Sequence, residues 1–599
     1  MSYLLMHTPL NIPHKPPHPS YTTFHGGAPT KLPCIVSSTR RSSSTRCNAM
    51  PSTQTTTSTT RRSANYKPPF WDFNYIQSLT TQYTEERHSK RAAELIARVK
   101  MLLLLQEMEG DQRLELIDDL QRLAISHHFN REINLILTCI YHENNFDTKE
   151  SDLYSTALEF RLLREHGFQV SQDVFDCFKN EKGDFKACLC DDRRGVLQLY
   201  EASFLLTHGE ETLELANEFA TKYLQRIVDE GDDDDHNLLE SVRYALDLPI
   251  HWRIRRPNAR WYIEAYGRRS EMNPTILELA KLDFNITQSM HQQELKLISR
   301  WWKQTRLSEM LPFARDRIVE CYLWTLFDGL SQPKYGYSRI MATKANSLIT
   351  LIDDIFDVYA TLDELHLFND AIQRWDLEAV NQLPNYMQIC FLTLNDFINE
   401  MACDVLKEQD ILINKYLRKS WQDLCKSFMQ EAQWHMAKYT PTLDEYINNG
   451  WISSSAPVIL SNTFFLTTNP IQKIDVESLY QYPDLVKCPS MILRLANDLA
   501  TSPNEMERGD VAESIQCYMK ESGASIEEVR DHARFLIWKS WKRMNEEGVG
   551  DSQFSKEFIA SAVDLGRLAQ YMYQLGDGHG IQNPRIKDRI SSLLFEPIV

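Results

Sequence analysis

From about residue 61 the chain reads as helix almost throughout. Residues 91–108 and 113–124 repeat apolar positions at intervals of three and four, with charges between them. That is the period of a helix with one buried face. The acid run Asp232 to Asp235 separates two helical stretches and reads as a solvated loop, since clustered aspartates repel. Asn273-Pro274, after the polar stretch Gly267 to Glu271, breaks the pattern, and residues 275–305 beyond it read as one long helix. No convincing alternating strand and no short-period repeat is present. The pattern predicts an all-α chain of two helical domains, 61–272 and 273–599, behind a leader of residues 1–60.

Composition supports that reading and narrows the function. At 599 residues the chain is too long for one core. Glycine (20) and proline (24) are scarce, which favours long helices over a turn-rich β fold. The longest aliphatic run, Met101 to Leu105, is far short of the roughly 20 apolar residues of a membrane span. A net charge of −17 argues against nucleic-acid binding, which needs a basic surface. A phosphorylated substrate would need metal ions or placed arginines here.

The charge is uneven. Residues 1–60 hold no acid but five basic residues, 9 Ser, 12 Thr and 8 Pro, and without them the body stands at −22. An acid-free, Ser/Thr-rich, mildly basic N-terminus is the composition of an organelle transit peptide. The twelve cysteines are scattered; only Cys188 and Cys190 are close, in poor zinc spacing, and the set reads as reduced thiols.

Chemistry concentrates in two places. In Asp353-Asp354-Ile355-Phe356-Asp357, a helix would set Asp353 and Asp357 one turn apart on one face. Asp354, rotated by about 100°, suits an orienting partner for an arginine. The flanking run Leu348 to Leu351 is largely apolar, so burial of these acids requires cations. Hard oxygen ligands on a rigid helix suit Mg²⁺ or Mn²⁺; alone, the cluster also fits a solvated acidic face. Asn497, Thr501 and Glu505 recur at i, i+4 and i+8 and would line one face of a second helix, although Pro503 is expected to kink or end it. Arg315 and Arg317 lie upstream of the aspartates, and Arg494 sits one turn before Asp498. Arginine forks bind phosphate oxygens bidentately. Two metal-ligand clusters with arginines describe a cradle for a diphosphate.

These motifs, with Arg61-Arg62 followed by eight residues and Trp71, the segment Leu197 to Leu205, RDR at 315–317 and the C-terminal GDGHGIQNP, closely resemble plant terpene synthases of the plastidial monoterpene type. The resemblance covers Arg61 to Val599. It implies a class I helical bundle in the C-terminal domain, a scaffold-like N-terminal domain, and removal of residues 1–60 in the plastid stroma. It also implies a small prenyl diphosphate substrate, geranyl diphosphate, ionised with about three Mg²⁺ or Mn²⁺ ions; the sequence leaves the oligomeric state open, with a monomer favoured. On this resemblance Asp353, Asp357, Asn497, Thr501 and Glu505 hold metal, and Arg315, Arg317 and Arg494 grip the diphosphate together with Asp353, Asp357 and Asn497. Trp324 faces the carbocation; Tyr573 contacts it or removes a proton. Arg61 and Arg62 assist isomerisation to linalyl diphosphate. A sesquiterpene synthase acting on farnesyl diphosphate and a catalytically silent scaffold are the rivals; a chain-elongating transferase would carry two aspartate-rich motifs instead.

Overall fold

The computed structural model describes residues 61–599 except 62, 106–107, 109, 144–151, 232–235, 509–512, 549–551 and 581–582, and gives the backbone alone for 143 and 503–508. The leader, Arg62, the acid run at 232–235 and the Glu505 side chain therefore lie outside the described residues. Among the described residues every regular element is helical; an isolated bridge between Lys179 and Phe185 is the nearest approach to a sheet.

Helix α1 (Glu86–Leu103) ends before the apolar periodicity does, leaving Leu104 and Leu105 about half exposed. It is followed by α2 (Gly110–Arg122) and, further on, α3 (Arg255–Gly267). The long helix α4 (Pro274–Thr305) begins where the polar break predicts a start. Asn273 Oδ1 accepts from the Thr275 and Ile276 amides at 2.9 and 3.4 Å, and Pro274 occupies the first position, where its missing N–H costs nothing. At about 48 Å long, α4 packs against α1 and α3 and also against α5 (Ile318–Leu323) and α6 (Gly336–Asp354). Residues on both sides of Asn273 thus belong to one compact unit, 60–599.

A buried ion pair fixes α6 on α4. Arg339, fully buried, donates to Glu294 at 2.9 and 2.7 Å, and the Tyr322 hydroxyl adds a 2.6 Å bond. A Cβ at Gly336 would come within 2.9 Å of Glu294 Oε1, so a larger residue there would displace the carboxylate that pairs with Arg339. The pair matters because α6 carries the first aspartate cluster at its C-terminal end.

The remaining site-bearing helices are α7 (Leu362–Arg374), α8 (Asn414–Met436), α9 (Leu443–Ser453), α10 (Ala456–Thr467), α11 (Asp484–Arg508), α12 (Ile526–Glu547) and α13 (Lys556–Tyr573). Capping boxes at Thr361/Glu364, Thr442/Glu445 and Ser525/Glu528 start α7, α9 and α12. Helix α10 is buried on every face from Ala456 to Phe465, as expected of a helix apolar all round. Its polar Asn462 and Thr463 donate back to Val458 and Ile459 carbonyls at 2.9 Å each. Both α6 and α11 pack on α10, so one central helix sets the spacing of the two ligand-bearing helices. Of the two outcomes expected at Pro503, a kink or an end, the end is corrected: α11 runs on to Arg508. Packing of α11 against α9, α10, α12 and α13 outweighs the cost of one proline, about 3 kcal/mol.

Replacing Arg339 by Met strands Glu294 without its partner. Chemical denaturation should show a loss of about 3–5 kcal/mol, the range for breaking a buried pair from one side.

Candidate active site

The carboxylate wall is made where α6 changes pitch. At Asp354 the α-helix passes into a π-helical turn, Ile355–Tyr359, so Asp353 and Asp357 are not separated by the regular α-turn expected of them. Such turns insert one residue per turn and recur at functional sites. Ile352, Ile355 and Phe356 are buried beneath them, with Phe356 packed on Phe368 and Phe428. That apolar anchoring leaves Asp353 and Asp357 lining a cavity of about 630 Å³.

Asp354 turns the other way and is fully buried. Its Oδ2 accepts from the Arg315 backbone amide at 2.7 Å, and its Oδ1 lies 2.9 Å from Arg315 Nε. The same guanidinium reaches Asp353. Burial pushes the Asp354 carboxyl up while Arg315 pulls it down. Burial opposes the charge on Arg315 as well, but the nearby carboxylates, Asp354 foremost, hold it protonated well above its ordinary range.

The facing wall repeats this arrangement. On α11, Asn497 and Thr501 line the cavity, while their neighbour Asp498 is fully buried and lies 2.9 Å from Arg494 Nε. Asp498 also accepts from the Tyr446 hydroxyl at 3.1 Å and the Ser514 amide at 3.3 Å. The Arg494 guanidinium donates to Asn497 Oδ1. Thr501 Oγ1 sits 3.0 Å from the Asn497 carbonyl and 2.8 Å from Glu513 Oε1. Among the described residues, no three His, Cys, Asp or Glu ligand atoms of the cavity lie within 4.8 Å of one another. The donors stand on two separate walls and close on nothing by themselves.

Between the walls the lining turns aromatic and apolar: Trp324, Ile349, Phe428, Ile459, Leu493 and Tyr573. Trp324 and Tyr573 ring centroids are 6.0 Å apart. His579 also lines the cavity, 6.5 Å from Trp324, with Nε2 2.9 Å from Thr350 Oγ1 and Nδ1 unpartnered. Burial holds this imidazole neutral, well below its usual range, and keeps the Tyr573 phenol protonated. Glu431 on α8 is pushed up to about 7 by burial, and accepts from Ser453 at 2.5 Å and Asn449 at 3.0 Å.

An extended arm closes one side. Ser63 to Tyr66 line the cavity, and Tyr66 covers the Arg315 guanidinium at 5.3 Å. Arg61 itself stands outside, forked onto both Glu364 oxygens at 2.8 Å each and lying 4.6 Å from the Tyr359 ring centroid. Trp71 anchors the far end, buried against Phe70 and Phe595.

Of the residues singled out in the sequence, Arg315, Trp324, Asp353, Asp357, Arg494, Asn497, Thr501 and Tyr573 come together in the cavity. Arg317 does not: it is buried, with both terminal nitrogens on the Lys67 carbonyl at 3.3 Å, so it fastens the arm instead. Sequence reasoning does not reach Tyr66, Glu431 and Glu513, for which no local pattern exists, and gives no role to His579 of the GDGHG segment.

Residues 303–543 match the family model described as terpene synthase family, metal binding domain, and residues 70–246 that of terpene synthase, N-terminal domain. Cineole synthase 1, chloroplastic, from Salvia fruticosa is 54% identical over 539 residues, 90% of each chain. A crystal structure of limonene synthase with 2-fluorolinalyl diphosphate is 53% identical, covers 90% of this chain and 100% of its own, and superposes with a TM-score of 0.87. Isoprene synthase from grey poplar leaves (Populus x canescens), in complex with three Mg²⁺ ions and dimethylallyl-S-thiolodiphosphate, is 41% identical, covers 88% and 99%, and gives 0.81.

The arm's attachment has a pH signature. The Arg61 hydrogen bonds hold the Glu364 carboxyl down to about 2, below its unfolded value of 4.5. The contact is therefore present above the unfolded value and is lost as pH falls through about 2. Glu364→Gln should loosen the arm and raise hydrogen exchange of the 63–67 amides above that of the wild type at neutral pH. Equal exchange in both proteins would detach Glu364 from arm closure.

Proposed function

The chain belongs to the terpene synthase family, and we propose that its cavity ionises geranyl diphosphate, releasing diphosphate and a ten-carbon terpene. One observation carries this reading: two facing walls, each presenting oxygen ligands beside an arginine pinned by a buried aspartate, stand over an aromatic lining. The enzyme is a lyase of the monoterpene type, and neither the farnesyl diphosphate alternative nor a silent scaffold is favoured.

The donors fit hard divalent ions, being carboxylate, carboxamide and hydroxyl oxygens on two walls. Asp353 and Asp357 on one wall and Asn497, Thr501 and Glu505 on the other would hold Mg²⁺ or Mn²⁺, three ions by analogy with the isoprene synthase complex. When bound, the ions supply positive charge that stabilises the leaving diphosphate. Arg315 and Arg494 add charge-assisted hydrogen bonds to the same oxygens. The allylic C–O bond then breaks with its electron pair remaining on the diphosphate oxygen. Trp324 and Tyr573 face the resulting allyl cation with their π surfaces. Tyr573 serves contact or proton removal, and His579, whose Nδ1 is unpartnered beside Trp324, is a second group placed to take the proton.

The arm from Arg61 to Tyr66, with Arg62, excludes water while the ion pair rearranges. Residues 61–272 act as the scaffold domain and 273–599 as the catalytic class I bundle, working as a monomer in the chloroplast stroma after removal of residues 1–60. The chloroplastic name of the sage relative supports that location.

Incubation with geranyl diphosphate and Mg²⁺, followed by gas chromatography, should yield ten-carbon terpenes, abolished by EDTA. Asp353→Ala should lower turnover roughly 100-fold or more with helicity unchanged by circular dichroism. Near-normal turnover in that variant, insensitive to EDTA, would remove the metal assignment. The double variant Arg61→Ala/Arg62→Ala should impair cyclisation of geranyl diphosphate yet still convert supplied linalyl diphosphate; equal loss on both substrates would make the arm a lid alone.

A further inference from the structure

A second ligand cluster lies outside the cavity. The short helical turn Ser126–His128 brings two adjacent imidazoles against Asp283 of α4. His128 Nε2 is 2.8 Å from Asp283 Oδ1, and His127 Nε2 is 3.8 Å from the same oxygen. The three ligand atoms all lie within 4.8 Å of one another, and the imidazole centroids are 3.9 Å apart. None of the three residues lines the reaction cavity.

We propose that His127, His128 and Asp283 form a transition-metal site of the Zn²⁺ class that ties the 126–128 turn to α4. Geometry supports it. Ligand atoms around a tetrahedral ion with bonds of about 2.0–2.1 Å are separated by roughly 3.3 Å. The observed 2.8 and 3.8 Å bracket that spacing, so shifts of about half an ångström would seat an ion. The surroundings fit as well. Arg256 donates to the other carboxylate oxygen, Oδ2, at 2.7 Å and to the Asp283 carbonyl at 3.1 Å, orienting the ligand while leaving Oδ1 to face the histidines. Both histidine side chains keep 22–25% exposure, so water has access to complete the coordination.

The donor chemistry separates this site from the reaction cavity. Two imidazoles and one carboxylate prefer Zn²⁺, Ni²⁺, Co²⁺ or Cu²⁺, whereas Mg²⁺ prefers oxygen alone. A charge argument sets the affinity: Arg256 offsets the single negative charge of Asp283, so the imidazole nitrogens must provide most of the binding. Without metal the same atoms form an ordinary His128–Asp283 hydrogen bond, with His127 3.8 Å from the same oxygen.

Full-length protein stripped with chelator, desalted and supplied with excess MgCl₂ should take up one equivalent of Co²⁺ with a visible d–d absorption band. His127→Ala/His128→Ala should lose that band. His127→Asn keeps the His128–Asp283 bond, guarding against a folding artefact, and should weaken Co²⁺ binding at least about tenfold. Zn²⁺ should raise the thermal midpoint of the wild type and of Asp353→Ala, but not of either histidine variant. Absence of the band in the wild type, or an unchanged band and affinity in His127→Asn, would overturn the proposal.

Discussion

The site depends on two buried aspartates that never enter the cavity. Asp354 and Asp498 each follow a cavity-lining ligand in sequence, each is fully buried, and each holds an arginine at 2.9 Å. Neither charge is stable alone in a helical core, since isolated buried ions are prohibitively costly; the arginine makes burial of the acid tolerable, and the acid fixes the arginine. The product is a pair of immobile guanidinium groups at the edge of the cavity. An electrostatic site built this way needs little reorganisation when charge develops.

The rest of the fold keeps those two pairs in register. Helix α10, buried on every face, spaces α6 from α11, and the Arg339–Glu294 pair prevents α6 from sliding on α4. The arm adds a third boundary, pinned at one end by Arg61 on Glu364, in the middle by Arg317 on the Lys67 carbonyl, and at the other by Trp71 on Phe595. Arginines thus serve two tasks that sequence alone does not separate: some face the cavity and some hold its cover.

Much of the site was legible because its signals are local. Asp353 and Asp357, and Asn497 and Thr501, declare themselves by spacing on helices that the apolar pattern also predicts; Asp354 is assigned correctly by its rotation from them. The misreadings have tertiary causes. Arg317 belongs to the same RDR triplet as Arg315, but its fork is occupied by the Lys67 and Asp316 carbonyls. Pro503 is tolerated because packing, not local hydrogen bonding, sustains α11. The π-helical turn at Ile355–Tyr359 packs on α8 through Phe356 and Phe428, a contact no local pattern announces, and Glu431 and Glu513 are single acids whose importance exists only after the helices assemble.

Arg315 pairs with Asp353 and Arg494 with Asn497, residues that would ligate metal, so divalent ions taking those ligands would free guanidinium faces for diphosphate. Isothermal titration of inorganic diphosphate tests this directly. Binding should be undetectable in EDTA and appear with Mg²⁺, and Arg494→Leu should weaken it. Diphosphate binding of equal affinity with and without Mg²⁺ would contradict the account.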